Sequence, residues 1–134
     1  MTLIMGVEGI GPQRSKKLQE IGIRSTAALL KKGATPKGRK EIEEKTGIEH
    51  ALILEWVNHA DLFRIKGVAE EYSDLLEAAG VDTVVELAQR KPENLYKKVI
   101  ETNNEKKLVR RPPSEKMVED WICQAKTMKR IVEY

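Results

Sequence analysis

The chain has one cysteine and two histidines in 134 residues, and its two Trp, three Tyr and one Phe make only six aromatics. The lone Cys123 excludes an internal disulfide and any cysteine-based metal cage. His50 and His59 lack metal-ligand spacing, so both are expected on the surface or at helix flanks, and no metal or other cofactor is expected. No apolar run approaches the roughly 18 residues of a membrane span. Met1 to Met5 is too short for a signal peptide and has no basic lead. A reducing cytoplasm fits best, and no membrane partner is expected. Trp56, Phe63, Tyr72, Tyr96, Trp121 and Tyr134 fall mostly at core-like positions, which leaves no stacking platform for single strands. Strand patterns are scarce as well.

Apolar residues make up 40% of the chain, enough for a modest core. The length fits one compact domain, 1–134, or two small halves that share a core. Glycines and prolines separate segments of 3.6-residue periodicity, so the fold class is all-α.

The most informative stretch is Val7-Glu8-Gly9-Ile10-Gly11-Pro12, followed by Ser15, Leu18 and a closing Gly22. A turn with two glycines lets the backbone approach a partner closely. A helix starts directly after it, and the free amides of a helix start favour an anion. The phrase returns as Ile65-Lys66-Gly67-Val68-Ala69, with Ser73, Leu76 and Gly80 behind it. The offset is 58 residues: Gly9 pairs with Gly67, Leu18 with Leu76, Gly22 with Gly80 and Leu29 with Leu87. Gly22 and Gly80 suit left-handed helix ends. Ser25 and Thr83 suit the caps of the helices that follow, Glu86 giving Thr83 capping-box spacing.

Trp56-Val57 with Ala60 resembles Trp121-Ile122 with Ala125, now at an offset of 65. The extra residues fall in the second linker, around Asn103 to Pro113. This divides the chain into a first repeat, 1–64, and a second, 65–134. Helices are predicted over about 50–62 and 115–128, with Pro36 opening one helix and Ser114 capping another. The first turn has only six residues before Val7. Helix 115–128 is therefore expected to pack beside it, closing a pseudo-twofold pair.

Charge is shared unequally. Residues 1–40 hold nine Lys or Arg and two Glu, whereas 41–65 and 66–90 each hold two basic and six acidic residues. Residues 91–134 are basic again, with eleven Lys or Arg against seven acids. Arg14, Lys16 and Lys17 follow the first glycines, and Lys31, Lys32, Lys37, Arg39 and Lys40 come next. Such a patch suits several phosphates. Glu70, Glu71, Asp74 and Glu77 follow the second turn and would repel them, and Ala69 replaces a glycine there. Gly9, Ile10, Gly11, Arg14, Lys16, Lys17, Lys37, Arg39 and Lys40 are thus the candidate nucleic-acid contacts. Gly67, Val68 and Ala69 form a degenerate, mainly structural counterpart.

Three other signals are weaker. Gly33-Ala34-Thr35-Pro36-Lys37-Gly38-Arg39-Lys40 imitates a P-loop, but Arg39-Lys40 stands where Lys followed by Ser or Thr is needed, and no buried strand precedes it. Ile42 to Trp56 has helix-turn-helix spacing, yet its second helix would offer Glu49, His50, Ala51 and Glu55 to base edges. Lys106-Lys107-Leu108-Val109-Arg110-Arg111 reads as a solvated linker, with a phosphate-contacting face as the alternative.

The paired glycine turns resemble the helix-hairpin-helix superfamily of DNA repair and recombination proteins. The whole chain resembles a narrower bacterial and archaeal family, a domain of unknown function built from tandem units of this kind. That likeness rests on Gly33 to Lys40, Leu54-Glu55-Trp56-Val57-Asn58, Ala60-Asp61-Leu62, Arg64-Ile65-Lys66-Gly67-Val68, Ala79-Gly80-Val81-Asp82-Thr83-Val84 and Arg110-Arg111-Pro112-Pro113. The superfamily implies sequence-independent contact of turn amides with phosphate, and Gly9, Ile10 and Gly11 match that role.

The favoured function is non-enzymatic, sequence-independent binding of duplex DNA through the first turn. The alternative is a protein-interaction or scaffold domain, in which the opposed charges support self-association or an acidic protein partner. Catalysis ranks last. Where superfamily glycosylases carry an aspartate, this chain has Arg24 and Ser25, and no lysine is marked as a nucleophile.

Overall fold

Short polar residues and prolines set most of the helix starts. Ser25, Thr35, Thr83 and Ser114 are extended, and each accepts a hydrogen bond from an amide in the first turn of the helix it precedes. Pro12, Pro36 and Pro92 occupy the first two helical positions, where a missing N–H costs little. A computed structural model describes residues 10–68 and 70–134. Val7, Glu8, Gly9 and Ala69 lie outside the described residues. Among those described there are eight α-helices and no β-strand: α1 (Gly11–Glu20), α2 (Thr26–Lys32), α3 (Pro36–Thr46), α4 (His50–Leu62), α5 (Glu70–Ala78), α6 (Val84–Gln89), α7 (Pro92–Lys106) and α8 (Glu115–Thr127). The fold is all-α, and α4 and α8 match the predicted helices to within a residue.

The chain forms two compact units. The described part of the first runs to Asp61 and takes in Ile131–Tyr134; the second is Leu62–Arg130. In the first, α3 packs on α1 and α2. Ser15 and Leu18 of α1, Leu29 and Leu30 of α2, and Ile53, Trp56 and Val57 of α4 are buried. Gly33 and Gly38, the imitation P-loop pair, serve this packing. A Cβ on Gly33 would strike the Val57 side chain, and one on Gly38 would strike the Lys32 carbonyl oxygen. His59, expected at the surface, is buried, because it shares the inward face of α4 with Trp56 one turn earlier.

Arg39 closes this unit. Its Nη1 donates to the Gly33 carbonyl at 2.8 Å and its Nη2 to the Glu133 carbonyl at 2.7 Å. The Glu133 amide donates to the Ala34 carbonyl at 2.7 Å, and the Tyr134 hydroxyl to Asn58 Oδ1 at 2.9 Å. The guanidinium lies 5.9 Å from the centre of the Tyr134 ring.

In the second unit α8 packs on α6 and α7, and α5 on α7. Leu62, Ile65, Leu76, Val99, Trp121 and Ile122 belong to one buried cluster. The Trp121 and Tyr72 rings lie 5.2 Å apart, centre to centre. α8, the helix predicted over 115–128, supplies the core of its own unit. The loop after α7 returns it to α6 and α7, whose apolar faces need covering.

The units share turn chemistry position by position. Ile23 and Val81 donate to Leu18 and Leu76 at 2.9 and 2.8 Å, while Gly22 and Gly80 donate to Gln19 and Glu77 at 3.0 and 2.9 Å. Both are Schellman ends, with glycines at φ 89 and φ 96. Lys32 Nζ then caps the Ile21 carbonyl at 3.0 Å, and Arg90 Nη2 the Gly80 carbonyl at 2.9 Å. The later change of offset combines a longer α7, at 15 residues against 11 in α3, and a longer loop after it, partly offset by a shorter connection between α6 and α7 than between α2 and α3.

Candidate nucleic-acid interface

Ile10 precedes α1 with helical dihedrals (φ −78, ψ −46), and among the described residues no side-chain cap bonds the first turn. Its own side chain is buried. Gly11 has φ 77, and the space where its Cβ would stand is open. Left-handed backbone there costs an L-residue about 1–2 kcal/mol, so glycine suits it. The first turn of α1 contains no acid. Ser15 and Leu18 point inward, while Arg14, Lys16 and Lys17 are exposed. Within its own first turn α1 has no acid to meet the partial positive charge of this helix end, and the exposed charged side chains that follow, Arg14, Lys16 and Lys17, are cations.

Lys37 and Lys40 are exposed on α3, the neighbour of α1. Arg39 leaves the candidate set. It is 3% exposed, and its terminal nitrogens already donate to carbonyls of its own unit. Burial moves its pKa below the ordinary arginine value, with Tyr134 opposing the shift. Its place was legible in the helical spacing, since Arg39, Ile42 and Thr46 fall on the buried stripe of α3.

The cluster around Glu41 was not singled out from the sequence. Its carboxylate pairs with Lys45 at 2.9 Å. The Lys45 hydrogen bond and charge hold its pKa below the usual carboxylate range, and Lys32 and Lys37 pull the same way. Three lysines therefore share one exposed acid beside a shallow cleft lined by Ile21, Gly38 and Ile42.

The turn before α5 is occupied from within. The Lys66 amide donates to Gln124 Oε1 at 2.8 Å, and Gln124 Nε2 donates back to the Lys66 carbonyl at 2.9 Å. Gly67 has φ 98, and a Cβ there would stand 3.2 Å from Trp121 Nε1. Val68 is buried. Glu71 is exposed on the helix that follows, and Asp74 and Glu77 are partly so.

Among the described residues no helix is long and apolar enough to cross a membrane. No curated protein and no solved structure matches the chain. A family model covers residues 8–128, nearly the whole length. By that match the chain belongs to the family described as a domain of unknown function, DUF4332.

Proposed function

We propose that each unit is one helix-hairpin-helix repeat, and that the protein binds duplex nucleic acid through its backbone, without reading sequence and without chemistry. The contact is the start of α1. Gly11 and the amides after Pro12 face a phosphate, and Arg14, Lys16, Lys17, Lys37 and Lys40 meet its neighbours. The observation that carries this reading is a helix start that, among the described residues, has no side-chain cap and no acid in its first turn and is followed by exposed cations. A capped or acid-lined start would have met its own need.

Hydrogen bonds to charged groups contribute about 1.5–3 kcal/mol each. One turn with a few lysines therefore gives weak binding, on the order of 10⁻⁴–10⁻⁶ M, and salt weakens it further. Fluorescence anisotropy of a labelled duplex at about 50 and 200 mM salt is the test. Five cation–phosphate contacts predict about a 500-fold loss across that range, from a slope of about −0.9 per contact. Arg14→Gln, Lys16→Gln and Lys17→Gln together should remove most of the binding without moving the unfolding midpoint. Affinity equal to the parent's would overturn the assignment.

A further inference from the structure

The segment joining α7 to α8 has the composition of a solvated linker and the anchoring of a core loop. α7 ends at Lys107, left-handed at φ 49 and ψ 48, whose amide donates to the Asn103 carbonyl at 2.8 Å. Asn103 is buried and clasps the returning chain. Its Nδ2 donates to the Val109 carbonyl at 3.2 Å, and its Oδ1 accepts from the Val109 amide at 3.0 Å. One side chain thus holds both hydrogen-bonding groups of one backbone residue. Val109 and Pro113 are buried, and the Tyr72 hydroxyl donates to the Arg111 carbonyl at 3.0 Å.

The charged side chains of this anchored loop are out in solvent. Lys106, Lys107, Arg110 and Arg111 are exposed, and Leu108 is 40% exposed. None of the four cations forms an ion pair with a described residue. Glu71 is the acid that borders the bay beside them. Fixing a backbone costs about 1–2 kcal/mol per residue. A loop already fixed by Asn103 and Tyr72 does not incur that cost again when it binds. Four like charges held close together repel one another until a polyanion meets them.

We infer that residues 106–111 form a preorganised cation array that grips the phosphate backbone of a nucleic-acid duplex. The inference rests on the reading of the protein as a backbone binder and adds a second set of contacts to it. Arg110 and Arg111 suit bidentate pairing with phosphate, and the lysines act as point charges. A lipid surface is a poorer fit. Burying one leucine contributes only about 1.5–3 kcal/mol, and stable anchoring takes a larger apolar face or a second signal.

The test titrates a labelled duplex with three full-length proteins between about 50 and 200 mM salt. They are the parent, the loop triple Lys106→Gln, Arg110→Gln, Arg111→Gln, and the α1 triple Arg14→Gln, Lys16→Gln, Lys17→Gln. Lys107 is kept because of its left-handed backbone. The loop triple should flatten the salt slope by about 2.7, at about 0.9 per contact, with an unchanged unfolding midpoint. Arg110→Gln alone should take about 0.9 off the slope, which keeps the test decisive if the triple does not fold. A loop triple that binds like the parent, while the α1 triple loses affinity, overturns this inference and spares the α1 reading. The reverse pattern supports the loop and removes α1. A parent that ignores the duplex at 50 mM overturns both. Loop-dependent binding to phosphatidylserine vesicles, without duplex binding, assigns the loop to lipid and also overturns the inference.

Discussion

At the turn before α5, Gln124 holds both backbone groups of Lys66, and Trp121 lies beside Gly67. At the turn before α1, no described atom stands where a Gly11 Cβ would be, and among the described residues the helix it opens has neither a side-chain cap nor an acid in its first turn. Both segments carry a glycine, an apolar residue and a helix start. The difference lies in what surrounds them. A backbone whose hydrogen-bonding groups are satisfied inside its unit has little left to offer a ligand. Similar turn wording therefore does not imply similar function, and the surrounding side chains must be counted before a turn is called a binding site.

The largest test of this contrast is Trp121→Ala. The indole is 2% exposed and packs on Tyr72. Its loss should cost about 3–5 kcal/mol in urea unfolding, while duplex binding persists wherever the protein remains folded. An unchanged midpoint would mean that the second turn does not depend on its cover.

Next come the two glycines. Gly67→Ala meets both a left-handed φ of 98 and Trp121 Nε1 at 3.2 Å, whereas Gly11→Ala meets only a φ of 77. Gly67→Ala should cost about 2–3 kcal/mol and Gly11→Ala about 1–2 kcal/mol. Equal costs in paired melts would erase the distinction between an occupied and an open turn. Gln124→Ala should cost about 0.5–1.5 kcal/mol, since the released Lys66 groups are near solvent. Faster exchange of the Lys66 amide with deuterium should accompany it.

The smallest effect belongs to Glu41. Lys45 lowers its pKa from an ordinary value of 4.5. A carboxylate lowered on folding adds stability above its unfolded pKa and loses it as pH falls through the folded value. Glu41→Gln should therefore lower stability slightly near neutrality, with a flatter acid limb below about pH 4.5 along which the difference from the parent disappears. A variant with an equally steep acid limb would show that the lysines around Glu41 act independently of it.

Local features were legible in the sequence because their causes are local. Ser25, Thr83 and Ser114 cap as their side chains dictate, and Gly22 and Gly80 close helices where left-handed backbone is needed. The ends of α4 and α8 follow from periodicity. What failed depended on distant partners. Arg39 looked like its basic neighbours because the carbonyl it binds, that of Glu133, is 94 residues away. Asn103 looked like a linker residue because the loop it clasps bonds back across a turn, out of reach of periodicity. Even so, Leu95, Val99, Thr102 and Asn103 recur at helical spacing on the buried face of α7, a signal that marked it as inward.

The clasp between Arg39 and residues 131–134 also bears on the order in which the protein is completed during synthesis. Translation usually lets N-terminal units fold first. Here the first unit lacks its last segment until the whole of Leu62–Arg130 has been made. The second unit holds all its residues earlier, although it begins later. Until residues 131–134 emerge, the nascent first unit keeps the Arg39 guanidinium without its Glu133 acceptor, a charge whose partner is made only after the second unit.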